Sequence, residues 1–319
     1  MKILFTADWH IKLGQKNVPI DWQKNRYRLL FNKLESLSET VDQHVIGGDI
    51  FDKVPSLDEL ALFHEFIDKV KIPTIIYDGN HEAVKKDTTF FTVLKPIIKS
   101  SNKNIIIIDD YYNGEYYDII PYCRLKQFEK LNDFEPKNTL LFTHVRGNIE
   151  PHVKSEVNLE IFKTWPLVVA GDLHSHSNSQ ANILYPGSPV TTSAHRKLTS
   201  NGGLIVDTAD LSSIFIDFEL PQLLRKTITE VNEIDIDENY HHIIYEMEGS
   251  LDKLSTIDNH LIDKKIVRRS SEASLILTKE MTLSQEVEEY LKYILNLDTE
   301  AVERILKTLH DKIKDIKMV

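Results

Sequence analysis

Five short segments of this sequence place Asp, Asn or His directly after an apolar run of strand length. They are Asp8-Trp9-His10, Gly48-Asp49-Ile50-Phe51-Asp52, Gly79-Asn80-His81-Glu82, Thr143-His144 and Gly171-Asp172-Leu173-His174-Ser175-His176. Carboxylate, imidazole and amide oxygen together suit divalent metals, and the strand ends of an α/β sheet meet in one crevice. The segments therefore predict one metal site built from strand ends.

The chemistry of paired metals explains why such residues would be gathered. Two cations that share one carboxylate can activate water and stabilise the attacking and leaving oxygens of an in-line displacement at phosphorus. Asp49 follows two glycines, which let the backbone approach an ion closely, and it is our candidate for the shared carboxylate. His81 follows Asn80 and is predicted to donate a proton to the leaving oxygen, with Glu82 orienting it. The predicted substrate is a phosphate ester.

Some of these residues also have an ordinary structural interpretation. Asp8 could cap a helix, and His10 could be an exposed surface residue. Asp52 could accept a hydrogen bond from a ligand imidazole, or it could stand at the start of a helix. Their occurrence in this order, together with the other three segments, is what favours the metal site.

The last segment offers three candidate side chains. His174 and His176 alternate, so an extended loop would place both rings on the same side, as two neighbouring metals require. Asp172 is interpreted as turn-forming or as a support for a ligand, and not as a ligand itself. The sequence therefore predicts that His144, His174 and His176 supply imidazole nitrogens to the site.

Charge and cysteine content limit the function classes. The sequence contains 38 Lys and Arg residues and 49 Asp and Glu residues, and the resulting net charge of -11 opposes contact with a polyanion. If the substrate is DNA, a basic patch, the metals or a partner must overcome that repulsion. The single cysteine, Cys123, and an N-terminal apolar run that ends by Asp8 lead us to expect a cytoplasmic protein with no membrane span.

The periodicity predicts an α/β fold in the first two thirds of the chain. Helical spacing covers Leu29–Leu37 and Leu57–Val70, and Ser56 with Glu59 forms a capping-box pattern. Short β-branched runs predict buried strands at Ile3–Thr6, His44–Ile46, Thr74–Tyr77, Ile105–Ile108, Leu140–Thr143 and Leu167–Ala170.

The remaining sequence predicts further strands and a helical tail. Strands at Asn182–Tyr185, Gly203–Asp207 and Ile214–Glu219 are expected to complete a second sheet. Beyond Pro221 we expect strands at His241–Met247 and Ile266–Arg268, a helix at Ser250–Ile257, and a helical hairpin that opens with a Thr282/Gln285 capping box. The predicted domains are 1–221, 222–281 and 282–319.

The order of the motifs resembles that of the calcineurin-like metallophosphoesterases. Within that superfamily, the Gly48–Asp52 segment and the Tyr185–Val190 turn resemble the SbcD-type nuclease subunits of double-strand-break repair, including phage forms. The resemblance covers residues 1 to about 220. It implies a two-sheet metallophosphoesterase sandwich flanked by helices, with a small α+β capping domain and a C-terminal helical hairpin.

The resemblance also implies roles for individual residues. One metal would be held by Asp8, His10, Asp49 and His176, and the other by Asp49, Asn80, His144 and His174. Manganese is expected, with magnesium as the alternative. His81 would assist the leaving group, and we group Asp52 with it as a catalytic candidate. This chain departs from the family in having Asp52 where His is common, and Asp172 where the last motif usually has His.

Three functions remain open from the sequence. The first is a metal-dependent DNA exonuclease or endonuclease subunit that works in recombination, repair or replication, as a homodimer, with an SMC-like ATPase of the SbcC type docked on residues 282–319. The second is a small-molecule phosphodiesterase or phosphatase with the same dimetal centre. The third is an assembly subunit whose main task is to couple the ATPase.

Overall fold

The computed structural model describes residues 1–85, 88–131, 133–235, 240–248, 262–265, 281–295 and 297–316. Within them the helices are α1 (Ile20–Leu37), α2 (Leu57–Lys69), α3 (Phe91–Ser101), α4 (Tyr122–Leu131), α5 (Leu283–Glu289) and α6 (Thr299–Ile316). The strands are β1 (Lys2–Thr6), β2 (Gln43–Gly47), β3 (Thr74–Tyr77), β4 (Ala83–Lys85), β5 (Thr88–Thr89), β6 (Ile105–Ile108), β7 (Tyr112–Asn113), β8 (Asp118–Ile120), β9 (Leu140–His144), β10 (Leu167–Gly171), β11 (Ile183–Leu184), β12 (Gly202–Asp207), β13 (Ser213–Asp217), β14 (Leu223–Ile228), β15 (His242–Glu248) and β16 (Ile262–Lys265).

Two sheets packed face to face form the body of the larger unit. The first has the strand order β13-β12-β1-β2-β3-β6, and the second has the order β11-β10-β9-β8-β7. The layer between them is apolar, and the rings of Phe5 and Phe142 stack across it with centroids 5.2 Å apart. A second apolar layer lies beneath α1, α2 and α3. This arrangement confirms the predicted helix-flanked sandwich.

The six strands predicted in the first two thirds of the chain are all present. In the first sheet β1, β2, β3 and β6 run parallel, so their carboxyl ends point the same way. The Ser56 and Glu59 capping box opens α2 as predicted. Helices α3 and α4 had not been predicted.

The placement predicted for two later strands was wrong. Strands β12 and β13 do not extend a second sheet, because β12 pairs antiparallel with β1 and β13 pairs with β12 at the edge of the first sheet. The second sheet is built mainly from β7 to β10. Alternating apolar residues identify a strand but not the edge to which it adds, so the sequence did not distinguish the two sheets.

The described residues after Pro221 include a small sheet and the helices α5 and α6. Strands β14, β15 and β16 form the small sheet, and the Thr282/Gln285 capping box opens α5 as predicted. The helix expected at 250–257 and the strand expected at 266–268 lie outside the described residues. The chain divides into two compact units, Met1–Met247 with Ile257–Lys264, and Glu248–Thr256 with Lys265–Val319. The three domain boundaries proposed from the sequence stay predictions.

Helix length and hydropathy also bear on the expectation of no membrane span. Among the residues that the structure describes, none of the helices is long and apolar enough to cross a membrane.

Candidate metal centre

The motif residues lie at the carboxyl ends of five strands or on the loops that follow them. Asp8 and His10 follow β1, Asp49 follows β2, and Asn80 follows β3. His144 ends β9, and Asp172 and His174 follow β10. The two sheets meet at this edge, because the backbone N–H of Asp172 donates to both carboxylate oxygens of Asp8, at 3.0 and 3.1 Å. The predicted convergence of strand ends is therefore present.

Unusual backbone conformations aim these side chains inward. Asp8, His10 and Asp49 have φ values of 56°, 43° and 51°, in the left-handed region that non-glycine residues rarely adopt. Gly48 has a φ of 85°, and a Cβ on it would collide with the backbone of Gly79. The loop after β2 and the loop after β3 can come into contact only because positions 48 and 79 are both glycine.

One half of the site gathers around His10. Nε2 of His10 lies 3.0 Å from Nε2 of His174 and 3.7 Å from Oδ2 of Asp49. A carboxylate oxygen of Asp8 joins the two imidazoles in a cluster whose ligand atoms all lie within 4.8 Å of one another. Burial lowers the pKa of His10 to about 3, so its imidazole is neutral and has a lone pair for a metal.

The other half gathers around His144. Its Nδ1 lies 2.7 Å from the carbonyl oxygen of Gly47, so Nδ1 carries the proton and Nε2 faces the site. Nε2 lies 3.5 Å from Oδ2 of Asp49 and 4.0 Å from Oδ1 of Asp172. The Asn80 amide oxygen lies 3.0 Å from the same Nε2. Asp49 therefore contacts both halves, as expected for a shared carboxylate.

The electrostatics of this half favour a cation. The amide atom of Asn80 that faces the cluster also lies 3.1 Å from Oδ2 of Asp49 and 3.3 Å from Oδ1 of Asp172. With the amide oxygen in that place, several acceptor atoms face one another, and a bound cation satisfies all of them at once. Burial opposes a charge on His144, but the carboxylates of Asp49, Asp8 and Asp172 outweigh it and raise its pKa. The three carboxylates therefore favour a positive charge at this place, either as a second proton on His144 or as a divalent ion. A divalent ion bound at Nε2 would compete with that second proton.

The structure places the residues of the last motif differently from the expectation. His174 lies beside His10, in the half to which the sequence assigned His176. Asp172, interpreted as a support, lies beside Asn80 and His144. The ring of His176 stacks on Phe215 with centroids 4.7 Å apart, and its Nδ1 lies 2.6 Å from the carbonyl oxygen of Tyr185. A two-residue spacing alone does not show which half of the cluster a side chain approaches, and the ligand assignment made from the sequence stays a prediction.

His81 is half-buried at the edge of the cluster. Its Nδ1 lies 2.6 Å from the backbone carbonyl oxygen of Asp52, which accepts the Nδ1 proton and leaves Nε2 directed away from that carbonyl. Its backbone N–H donates to Oδ1 of Asp49 at 2.9 Å. The Asp52 side chain accepts from Lys12 at 2.8 Å and approaches Nδ1 of His10 at 3.9 Å. Asp52 is not a helix-start residue, because α2 begins at Leu57.

Glu82 supports Asp49, whereas the sequence had suggested that it orients His81. Its buried carboxylate accepts the backbone N–H groups of Asp49, Ile50, Phe51 and Gly79, at 2.7, 2.9, 3.3 and 2.8 Å. Burial raises the pKa of Glu82 to about 8, but both oxygens accept N–H groups, which is the pattern of the ionised form. A glutamate three residues after a strand-end glycine was the only sequence signal for this role.

Comparison with known proteins agrees with this geometry. The family model for calcineurin-like phosphoesterases matches residues 1–144. The chain is 38% identical to the probable exonuclease subunit 1 of Escherichia phage T5, over 99% of both chains. It is 29% identical to the putative phosphoesterase 244L of Invertebrate iridescent virus 6, over 71% of this chain and 82% of that protein. It is 38% identical to the SbcD subunit of the nuclease SbcCD of Staphylococcus epidermidis, over 26% of this chain and 23% of that protein. The chain belongs to the calcineurin-like phosphoesterase family.

Proposed function

We propose that this protein is the nuclease subunit of a DNA-processing complex and hydrolyses DNA phosphodiester bonds with two divalent metals. The observation that carries the proposal is the cluster around Asp49, where imidazole, carboxylate and amide acceptors from the ends of five strands face one another. The phage T5 relative, named a probable exonuclease subunit, is similar along nearly the whole chain. Manganese suits the mixed nitrogen and oxygen donors, and magnesium is the alternative.

The contacts support a specific division of the ligands. Asp8, His10, Asp49 and His174 would hold the first metal. Asp49, Asn80, His144 and Asp172 would hold the second. This set exchanges His176 for Asp172 relative to the sequence prediction and keeps the other six residues. Two bound cations would supply positive charge for the transition state of an in-line displacement at phosphorus.

His81 is the proposed general acid. The carbonyl oxygen of Asp52 accepts the Nδ1 proton and holds the ring. The imidazolium form of His81, which carries a second proton on Nε2, would then donate that proton to the leaving oxygen and become neutral. The backbone bond from His81 to Asp49 ties the position of the acid to that of the shared carboxylate. Asp52 is thus a positioning residue, and its side chain pairs with Lys12.

The partner and location are part of the same proposal. We propose that residues 282–319 bind an SMC-like ATPase, that the subunit forms a homodimer, and that it works in the cytoplasm of the host cell in DNA recombination, repair or replication. Support comes from the word "subunit" in the names of two relatives. Leu295, between α5 and α6, and Ile305, on α6, are exposed and are available for contact with a partner. Deletion of 282–319 is expected to abolish co-purification with the ATPase while DNA cleavage by the isolated chain persists.

The central test measures metal binding and DNA cleavage on the same protein. The full chain is stripped with chelator and titrated with Mn²⁺ by calorimetry, and cleavage of end-labelled linear duplex DNA is then followed. We expect two ions per chain and cleavage that depends on them, with both lost in Asp49→Ala. Hydrolysis of aryl phosphodiesters without action on DNA would favour the small-molecule phosphodiesterase. Failure to bind manganese or magnesium would refute the proposal.

A further inference from the structure

Two ion pairs of the same design stand next to the metal cluster. Nζ of Lys12 lies 2.8 Å from the Asp52 carboxylate, and Arg146 donates two hydrogen bonds to the Asp172 carboxylate, at 3.0 and 3.1 Å. The Asp52 and Asp172 side chains are 25% and 5% exposed, whereas the Lys12 and Arg146 side chains are 39% and 40% exposed. Both cations are therefore fixed at one end and open to solvent beside the site.

The two pairs occupy the ends of a continuous row of contacts. From Lys12 and Asp52 the row continues to Nδ1 of His10, 3.9 Å from the Asp52 carboxylate. Asp49 lies 3.7 Å from His10 and 3.5 Å from His144. The row then runs through Asp172 to Arg146. The shared carboxylate, where the reacting phosphate would bind, is in the middle, and one cation stands at each end.

A row with a cation at each end suits a nucleic-acid strand better than an isolated phosphodiester. A polynucleotide carries a phosphate on each side of the bond that is cut, whereas a small phosphodiester carries only the one that reacts. The protein has a net charge of -11, so cations beside the site matter for attracting a polyanion. Because each cation is already held by a carboxylate, it loses little conformational freedom when a phosphate binds.

We propose that Lys12 and Arg146 bind the two phosphates that flank the scissile bond of a DNA strand. The inference rests on the proposed nuclease function and deepens it, since it names the feature that selects a polymer over an isolated phosphodiester. Asp52 acts as a positioning residue that orients Lys12. Asp172, the proposed ligand of the second metal, also orients Arg146, so that each cation stays beside its half of the metal centre.

The experiment compares two substrates in matched variants of the full chain. Cleavage of linear duplex DNA and hydrolysis of bis(4-nitrophenyl) phosphate are measured with Mn²⁺ over a range of NaCl concentrations for Lys12→Gln, Arg146→Gln and the double variant. Lys95→Gln and Arg28→Gln serve as controls. Lys95 pairs with Asp109 at 2.7 Å and is 41% exposed, and Arg28 pairs with Glu65 at 2.7 Å and is 48% exposed. Bound manganese is counted in every variant.

We expect each site variant to lower kcat/KM on DNA about threefold to tenfold at low salt, mainly through KM. The slope of log(kcat/KM) against log[NaCl] should flatten by about one for each cation removed. The loss on the aryl diester should be much smaller, two manganese ions should remain, and the control variants should keep the wild-type salt slope.

Three results would overturn the inference. The first is a wild-type salt slope in both single variants, and the second is an equal loss of kcat/KM on DNA and on the aryl diester. The third is loss of bound manganese, which would mean that Lys12 and Arg146 act only by supporting the metal ligands. These outcomes differ from failure of the proposed function, because in each of them the wild-type chain still cleaves DNA. A wild-type chain that hydrolyses the aryl diester but not DNA would refute both.

Discussion

Replacing Glu82 by Gln tests how the shared carboxylate is held. Oε2 of Glu82 accepts the N–H groups of Asp49 and Gly79, and Oε1 accepts those of Ile50 and Phe51. In Glu82→Gln one oxygen becomes an NH₂ group that faces two N–H donors. Two buried N–H groups then lose their acceptor, and the loop that carries Asp49 loses half of its support.

The size of the effect follows from those two bonds. A buried donor left without an acceptor costs about 1–3 kcal/mol, so Glu82→Gln should lower the free energy of unfolding by roughly 2–6 kcal/mol. That is a large part of the roughly 5–15 kcal/mol typical of a folded domain, and it corresponds to a fall in Tm of about 4 °C or more. Residues that orient metal ligands typically change metal affinity by about 10- to 100-fold, and we expect a loss of that size for Mn²⁺.

The assay separates support of Asp49 from general stability by using a second buried glutamate. Glu59 is also buried and accepts the backbone N–H groups of Leu13 and Ser56, at 2.8 and 2.7 Å. Calorimetric unfolding and Mn²⁺ titration are run on Glu82→Gln and Glu59→Gln. Both should lose stability, and only Glu82→Gln should lose manganese affinity. A folded Glu82→Gln protein with wild-type affinity would refute the reasoning.

Three further predictions concern the site and the core. His81→Ala should retain two manganese ions and lose at least about 100-fold in kcat on DNA, and a variant with full activity would exclude His81 as the acid. Asp172→Ala should reduce bound manganese from two ions to one, whereas His176→Ala should keep two; the reverse pattern, measured by elemental analysis, would restore the ligand set predicted from the sequence. Burial lowers the pKa of His44 from 6.5 to about 3, so between those values the unfolded chain binds the extra proton, and stability decreases as the pH is lowered through this window. In urea unfolding with chelator, the contribution of His44 to the free energy of unfolding should be about 2 kcal/mol lower at pH 5 than at pH 7. His44→Leu should remove this part of the pH dependence.

Much of the fold could be predicted because buried parallel strands have a clear signature. The β-branched runs that end at Asp8, Asp49 and His144 identified both the strands and the loops that carry chemistry. Whether a strand adds to one sheet or the other depends on which edge is open after the rest has paired. The open edge of a sheet is a property of the assembled sheets and not of one strand. For this reason the sequence analysis assigned β12 and β13 to the wrong sheet.

The details of the site were less predictable for a related reason. The left-handed conformations of His10 and Asp49 decide where their side chains point, and no sequence pattern records them. Glu82 looked like a partner of the neighbouring His81, but its carboxylate turns towards the backbone of another loop. Asp172 was interpreted as turn-forming or as a support for a ligand, although its carboxylate lies beside Asn80 and His144 in the structure.

The contact between His10 and His174 joins residues 164 positions apart, and it has a consequence for synthesis of the protein. During translation, the first metal position lacks one of its proposed ligands until β10 and the loop after it have left the ribosome and paired with the preceding strands. A nascent chain with only the first three motifs would hold metal poorly and cut little. The order of the motifs would thus delay assembly of the proposed metal centre until His174 and the loop around it have been made.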